Sequence, residues 1–322
     1  MNWRYVAITA VAALTAYIAA SLFLFPRMAL RPDAKALVDS PADVGLDFTS
    51  VTIPGAEADL AAWWMPATQP RAQLVFAHGI GSNRSSEFFN SLGLYRALVD
   101  RNVSVLSIDL RNHGQSMVTD GWVQMGRTEW KDLVAAVDWL ETTGGGTTPT
   151  LLMGISMGGA TVIHAATEDV AADALLLVDP ALDNMDALAS GGWVNFGLPR
   201  SVFYPYAWAS VQFYGVPDAT DNAQSRGRLV RQPTLLVQDP ADPITRAAFA
   251  QELAEANPAI TLALAPSVSP EAPCVNFKGR WGTHVAAFHC HPEWFLNTVE
   301  RFLRPLVTAD KVMQRGTVQG AK

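Results

Sequence analysis

The sequence predicts a mostly parallel, doubly wound α/β sheet with an inserted helical cap, preceded by an N-terminal transmembrane helix. Three observations carry that expectation. Beyond residue 45, short β-branched or aliphatic runs alternate with amphipathic stretches, the pattern of strands joined by crossover helices. Several of these runs are continuously apolar, as strands buried on both faces must be. The N-terminus carries an uncharged run, Tyr5–Phe25, 21 residues long.

Composition agrees and excludes other classes. Of 322 residues, 49% are hydrophobic and only 16% charged, which excludes an intrinsically disordered chain. Two cysteines exclude a disulfide-dense scaffold. A net charge of −7 gives no overall attraction for nucleic acid.

As a helix, Tyr5–Phe25 is about 30 Å long, the thickness of a bilayer's hydrocarbon core. It exceeds the roughly 7–15 apolar residues of a cleavable signal peptide and grows bulkier at Leu22–Phe25. Residues 1–28 are therefore read as an uncleaved anchor, with a cleaved signal as the alternative. Arg4 precedes the span and Arg27 and Arg31 follow it, so charge leaves the orientation open. Residues 29–44 read as a linker, 45–306 as the folded α/β domain and 307–322 as a polar tail.

Within the domain the expected strands are Asp47–Ile53, Leu60–Met65, Gln73–Ala77, Val103–Ile108, Thr150–Gly154, Ala174–Val178, Thr234–Val237 and Ile260–Ala265. Apolar residues at helical spacing predict helices over Ser86–Asp100, Arg127–Glu141, Arg246–Ala256 and Pro292–Leu303. No helical pattern separates the first two strands, which predicts an antiparallel hairpin at the start of the sheet. Residues 182–228 break the alternation. They hold Trp193, Phe196, Phe203, Tyr204, Tyr206, Trp208, Phe213 and Tyr214, interrupted by Pro199 and Pro205. An insertion of this length is usually functional, and it is read as the cap; extra core packing at a sheet edge is the alternative.

Gly154-Ile155-Ser156-Met157-Gly158-Gly159 follows an apolar run and opens a helical one. A serine on a sharp strand-to-helix turn needs flanking glycines so that the two backbones can approach. The N–H of Met157 then faces a developing oxyanion. Upstream, Phe76-Ala77-His78-Gly79-Ile80-Gly81-Ser82-Asn83 ends another strand and offers the N–H of Ile80 as a second donor. Next comes Asp109-Leu110-Arg111-Asn112-His113-Gly114-Gln115-Ser116.

With these three motifs in this order, the chain resembles the α/β-hydrolase superfamily over about residues 45–305. The resemblance implies the α/β-hydrolase fold and a triad in the order serine, acid, histidine. His78 is accordingly structural, and Asp109 and His113 take no catalytic role. The acid is expected after a late strand, in Asp239-Pro240-Ala241-Asp242-Pro243-Ile244. Asp242 matches its position. Asp239 stands where the family usually has glycine and competes, and Asp179 is a third choice. His284, in Gly282-Thr283-His284, matches the family's histidine. His289 and His291 compete, but they fall one to two helical turns deeper. A His-x-His zinc site is set aside because no further ligand cluster accompanies the pair.

The 18 residues between Ala265 and His284 exceed the family's usual short loop, and Cys274 and Cys290 flank the histidine. In an oxidising compartment they would pair; otherwise they are free thiols. The implied activity is a serine hydrolase of carboxylic esters, including lipid or other apolar acyl esters, with no metal or organic cofactor. The expected partners are a small-molecule ester or lipid substrate and a membrane, with no nucleic acid and the oligomeric state open. A serine peptidase or amidase, an acyltransferase, and a non-enzymatic membrane-tethered binding protein are the alternatives.

Overall fold

The computed structural model describes residues 3–145, 148–168 and 170–307. The polar tail therefore lies almost wholly outside the described residues. Eight strands form one sheet: β1 (Thr49–Ile53), β2 (Leu60–Met65), β3 (Ala72–Ala77), β4 (Val103–Ile108), β5 (Thr150–Ile155), β6 (Ala174–Val178), β7 (Thr234–Gln238) and β8 (Ile260–Leu264). Their order across the sheet is β1-β2-β4-β3-β5-β6-β7-β8. β1 and β2 pair antiparallel, β2 runs antiparallel to β4, and every later pairing is parallel. This is the α/β-hydrolase fold, with the expected hairpin at its start.

The continuously apolar runs are explained by the two layers of helices. In β3, Leu74 and Phe76 face one core, with Tyr95 of α3 (Ser91–Val99) and Phe295 of α12 (Pro292–Leu303). Val75 and Ala77 face the other, with α4 (Trp130–Leu140), α5 (Met157–Thr167) and α9 (Ala247–Ala256). A strand covered on both faces cannot alternate apolar with polar. The expected helix over Ser86–Asp100 begins only at Ser91. Asn90 before it sits at φ 58°, outside helical geometry, so the apolar spacing there extends past the helix itself.

Between β6 and β7 lie α6 (Asn184–Phe196), a 3-10 turn (Arg200–Phe203), α7 (Tyr204–Phe213) and α8 (Ala223–Gly227). Asp183 caps α6 by accepting from the Asp186 N–H at 2.7 Å, and Gly197 ends it at φ 73°. α6 and α7 form the cap. α8 packs on α5, where Arg226 pairs with Glu168 at 2.7 Å, so it belongs to the body of the sheet rather than to the cap. Past β8, α10 (Pro273–Asn276) and α11 (Ala287–Cys290) bracket the histidine loop.

The N-terminal segment is one helix of 28 residues, Trp3–Leu30, long and apolar enough to cross a membrane. It comprises α1 (Trp3–Ala19), a π-helical turn (Ala20–Leu24) and α2 (Phe25–Leu30). No residue of α1 is buried. From Tyr17 onward the helix docks on the domain, and residues of the segment 29–44, expected to be a linker, also contact it. Pro26 and Leu30 are buried, and the carbonyl of Leu30 accepts from the Val123 N–H at 2.8 Å. Farther on, Asn83 donates to the carbonyls of Lys35 and Ala36 at 3.1 and 3.2 Å. Apolar composition alone cannot separate a residue that faces lipid from one that faces a protein core.

Candidate active site

Strand register assembles the site. Ala77 of β3 pairs with Gly154 of β5, Ile155 with Val178 of β6, and Val178 with Val237 of β7. The loops after β3, β5, β6 and β7 therefore emerge side by side at the carboxyl edge, where open α/β sheets bind ligands.

The serine turn is strained and tightly packed. Ser156 sits at φ 53°, ψ −120°. A Cβ on Gly154 would lie 2.1 Å from the carbonyl oxygen of Gly158, and one on Gly158 would lie 2.2 Å from that of Ala77. Only glycine fits at either place, so the motif's spacing is a packing requirement. The turn carries Ser156 Oγ to 3.0 Å from His284 Nε2. His284 Nδ1 in turn lies 2.7 Å from Asp242 Oδ2.

Asp242 is over-determined. Its Oδ1 accepts from the N–H groups of Ile244 and Thr245 at 2.6 and 3.0 Å, and its Oδ2 accepts from Thr245 Oγ1 at 2.8 Å. Asp239 instead turns back on its own loop and accepts from the Ala241 N–H at 2.7 Å. Asp179 is fully buried and ties the two flanking loops together. It accepts from the Asp239 N–H at 2.7 Å and from the Val285 N–H, next to the histidine, at 2.9 Å. Burial, with the Asp242 carboxylate beside it, pushes the Asp179 carboxyl well above the usual carboxylate range. His289 packs against Phe277 at 5.8 Å, and the ring bonded to Ser156 is that of His284. Asp179, Asp242 and His284 each bring one atom within 4.8 Å of the others. Both ring nitrogens of His284 are already engaged by Ser156 and Asp242, so this cluster fits a proton relay better than a metal centre.

Two histidines given no catalytic role brace the loop around Ile80. His78 donates from Nδ1 to the Gly79 carbonyl at 2.8 Å, and its Nε2 accepts from the Leu110 N–H at 3.1 Å. His113 donates from Nδ1 to the Arg111 carbonyl at 2.9 Å, and its Nε2 accepts from the Gly81 N–H at 3.2 Å. Each ring uses one donor and one acceptor, which is the neutral tautomer. Burial pushes His78 down to about 3 and lowers His113 in the same direction. Asp109 anchors the same turn through Arg84 and through the Gln115 N–H at 2.8 Å. Met157 follows Ser156 and opens α5, where first-turn N–H groups lack helical partners.

Sequence reasoning missed two groups. Lys278 is buried, donates to the His284 carbonyl at 3.1 Å and lies over the rings of Phe88 and Phe277. Burial pushes its ammonium down to about 8. A lone lysine in a proline-rich loop gives no signal of this. The second group is the inner end of the N-terminal helix. A cavity of about 480 Å³ beside Ser156 is lined by Phe25, Met28 and Ala29 together with Leu188, Phe196 and Tyr206 of the cap. Its size falls in the range of about 300–1,000 Å³ typical of small-molecule sites. A second cavity of about 200 Å³ adjoins Ser156 and His284 and includes Lys35, Ser86 and Glu87. Cys274 and Cys290 are joined as a disulfide, and its loop encloses both Lys278 and His284.

Comparison with known proteins agrees with this fold. Residues 68–197 match the family model described as serine aminopeptidase, S33. No curated protein matches the chain in sequence. An esterase of Pyrococcus furiosus is similar in structure, with a TM-score of 0.68 and 21% identity, over 86% of this chain and 97% of that one. An α/β hydrolase from a Penicillium species superposes with a TM-score of 0.58 at 16% identity, over 81% of this chain and 99% of its own. A thermophilic esterase from Thermogutta terrifontis gives 0.54 at 18% identity, over 81% of this chain and 100% of that one. Fold and family match together make the chain similar to α/β hydrolases, and its sheet has the α/β-hydrolase fold.

Proposed function

We propose that the protein is a serine hydrolase that cleaves carboxylic esters through Ser156, His284 and Asp242. The observation that carries this reading is the hydrogen-bonded series Ser156 Oγ, His284, Asp242, at 3.0 and 2.7 Å. His284 takes the proton from Ser156 as the oxygen attacks the ester carbonyl. Asp242 holds the imidazole with Nε2 toward the serine and stabilises the imidazolium. The N–H groups of Ile80 and Met157 receive the oxyanion. His284 then protonates the departing alcohol, and water releases the acyl group by the same route. No step calls for a metal or an organic cofactor. The mainly apolar larger cavity supports an apolar acyl group. The N-terminal helix supports a tethered enzyme working at a membrane.

The family description favours a second reading, an aminopeptidase. Such an enzyme needs a carboxylate to hold the substrate's amine. No aspartate or glutamate lines the larger cavity among the described residues, and Glu87 is the acid of the smaller one. Ester hydrolysis is the reading favoured here.

The test is hydrolysis of short p-nitrophenyl esters and of aminoacyl p-nitroanilides, with fluorophosphonate labelling in parallel. Ser156→Ala is expected to abolish ester hydrolysis and labelling. Asp242→Asn should lower kcat by about 10⁴-fold, the size of loss when a triad aspartate becomes asparagine, and Asp239→Asn by less than tenfold. Ester hydrolysis retained in Ser156→Ala, or anilide turnover exceeding ester turnover, would sink the reading.

A further inference from the structure

The larger cavity beside Ser156 is closed on one side by residues of the membrane-length helix. Phe25, Met28 and Ala29 line it, opposite Leu188, Phe196 and Tyr206 of the cap. That end of the helix is fixed in place. Tyr214 donates to the Leu22 carbonyl and Tyr17 donates to the Val202 carbonyl, both at 2.8 Å. The Phe25 ring lies 5.5, 6.0 and 6.1 Å from those of Phe196, Phe203 and Tyr206. The π turn at Ala20–Leu24 lies within this docked end, which begins at Tyr17 near the close of α1.

Two lining side chains also belong to the outer surface. Met28 is 55% exposed and Phe196 is 45% exposed, so part of the cavity's rim is apolar and open. Met28 sits on the helix that carries Val11, Leu14 and Ile18, all exposed, and α7 alongside it exposes Trp208 and Phe213. Soluble proteins seldom expose so much apolar surface. The span-length helix running through this surface indicates lipid as its cover. The smaller cavity shares Ile80, Gly81, Ser156 and Trp281 with the larger one and adds Lys35, Ser82, Ser86 and Glu87. The charged side chains Lys35 and Glu87 thus line the smaller cavity and not the larger one.

We propose that the N-terminal helix is a working wall of the substrate site rather than only a tether. Phe25, Met28 and Ala29 form part of the acyl-chain pocket, and a long acyl chain enters it from lipid over the rim made by Met28 and Phe196. The polar alcohol of the ester then lies toward Lys35 and Glu87. A chain moving from lipid into an apolar wall never has to cross water, so little hydrophobic free energy is lost on binding. This rests on the ester-hydrolase reading above and assigns the side chains that choose the acyl group.

The test uses the full chain in phosphatidylcholine vesicles, with p-nitrophenyl butyrate and p-nitrophenyl dodecanoate as substrates. Met28→Trp narrows the rim at an exposed position. Ala29→Leu projects from the wall, and serves if the first variant fails to fold. Fluorophosphonate labelling of Ser156 reports a folded site. The ratio of kcat/KM for dodecanoate over butyrate is expected to fall at least tenfold in each labelled variant. A ratio within twofold of wild type, with labelling intact, overturns this inference and leaves the ester-hydrolase reading standing. Wild-type protein that neither hydrolyses the esters nor labels overturns both.

Discussion

His78 shows how a buried side chain can control a loop without touching substrate. Its two ring nitrogens join Gly79 to Leu110, while His113 holds Gly81, so Ile80 is fixed from both sides. This arrangement requires neutral rings. His78 is pushed down to about 3 when folded, against about 6.5 for a free histidine, so between these values the unfolded chain binds more protons. Its contribution to stability is therefore complete above about pH 6.5 and is lost progressively as pH falls toward 3. Thermal melts between pH 7 and pH 4 should show Tm falling with acid. His78→Gln keeps a donor and an acceptor but cannot titrate, so its Tm should fall less steeply. Equal slopes would remove His78 as the source. The role of His78 as a brace was not legible in sequence, because it depends on the carbonyl and the N–H that the fold brings to each ring nitrogen.

At the scale of elements, the long loop between β8 and α12 carries the histidine. It holds α10, the disulfide, buried Lys278 and His284. Cross-linking a loop of about 15 residues is worth about 3 kcal/mol in the chain-entropy account. The double variant Cys274→Ser/Cys290→Ser should lower Tm and reduce kcat more than KM changes, because the loop orients the imidazole. Melting curves and ester kinetics under non-reducing conditions check this; a variant with wild-type Tm and kcat would show that the bridge holds nothing in place. The same scale shows where sequence reading succeeds. All eight strands fall within one or two residues of the expected runs, and for the central ones the reason is that a strand buried on both faces must be largely apolar. Helix starts were less legible: the apolar spacing over Ser86–Asp100 runs through a turn that Asn90 separates from the helix.

At the scale of the whole molecule, the N-terminal helix joins a membrane-length segment to the site. Deleting residues 1–16 removes no buried residue among those described, whereas deleting residues 1–30 also removes the buried Pro26 and Leu30 and the cavity-lining Phe25, Met28 and Ala29. The shorter deletion should keep Tm and short-ester hydrolysis near wild type in detergent. The longer one should lose several degrees of Tm and aggregate, since burying a single leucine or phenylalanine is worth about 1.5–3 kcal/mol. Size-exclusion profiles and melts of the two truncations decide it; indistinguishable behaviour would mean that the docked end of the helix adds nothing to the domain.

Sequence by itself determined the strand–helix alternation, the antiparallel hairpin, the serine turn and the span-length apolar run. Each of these is a local requirement: apolar faces, glycines where backbones touch, and an uncharged stretch long enough for a bilayer. It also singled out Ser156, Asp242 and His284, which the fold brings into one hydrogen-bonded series across β5, β7 and the loop after β8. Tertiary structure shows that Asp242, the acid the resemblance matched, faces the imidazole, while Asp239, three residues away on the same turn, does not. It alone gave Asp179 and Lys278 their partners. It alone showed that the inner turns of the apolar helix face the pocket, since hydrophobicity records that a side chain avoids water but not what it meets instead.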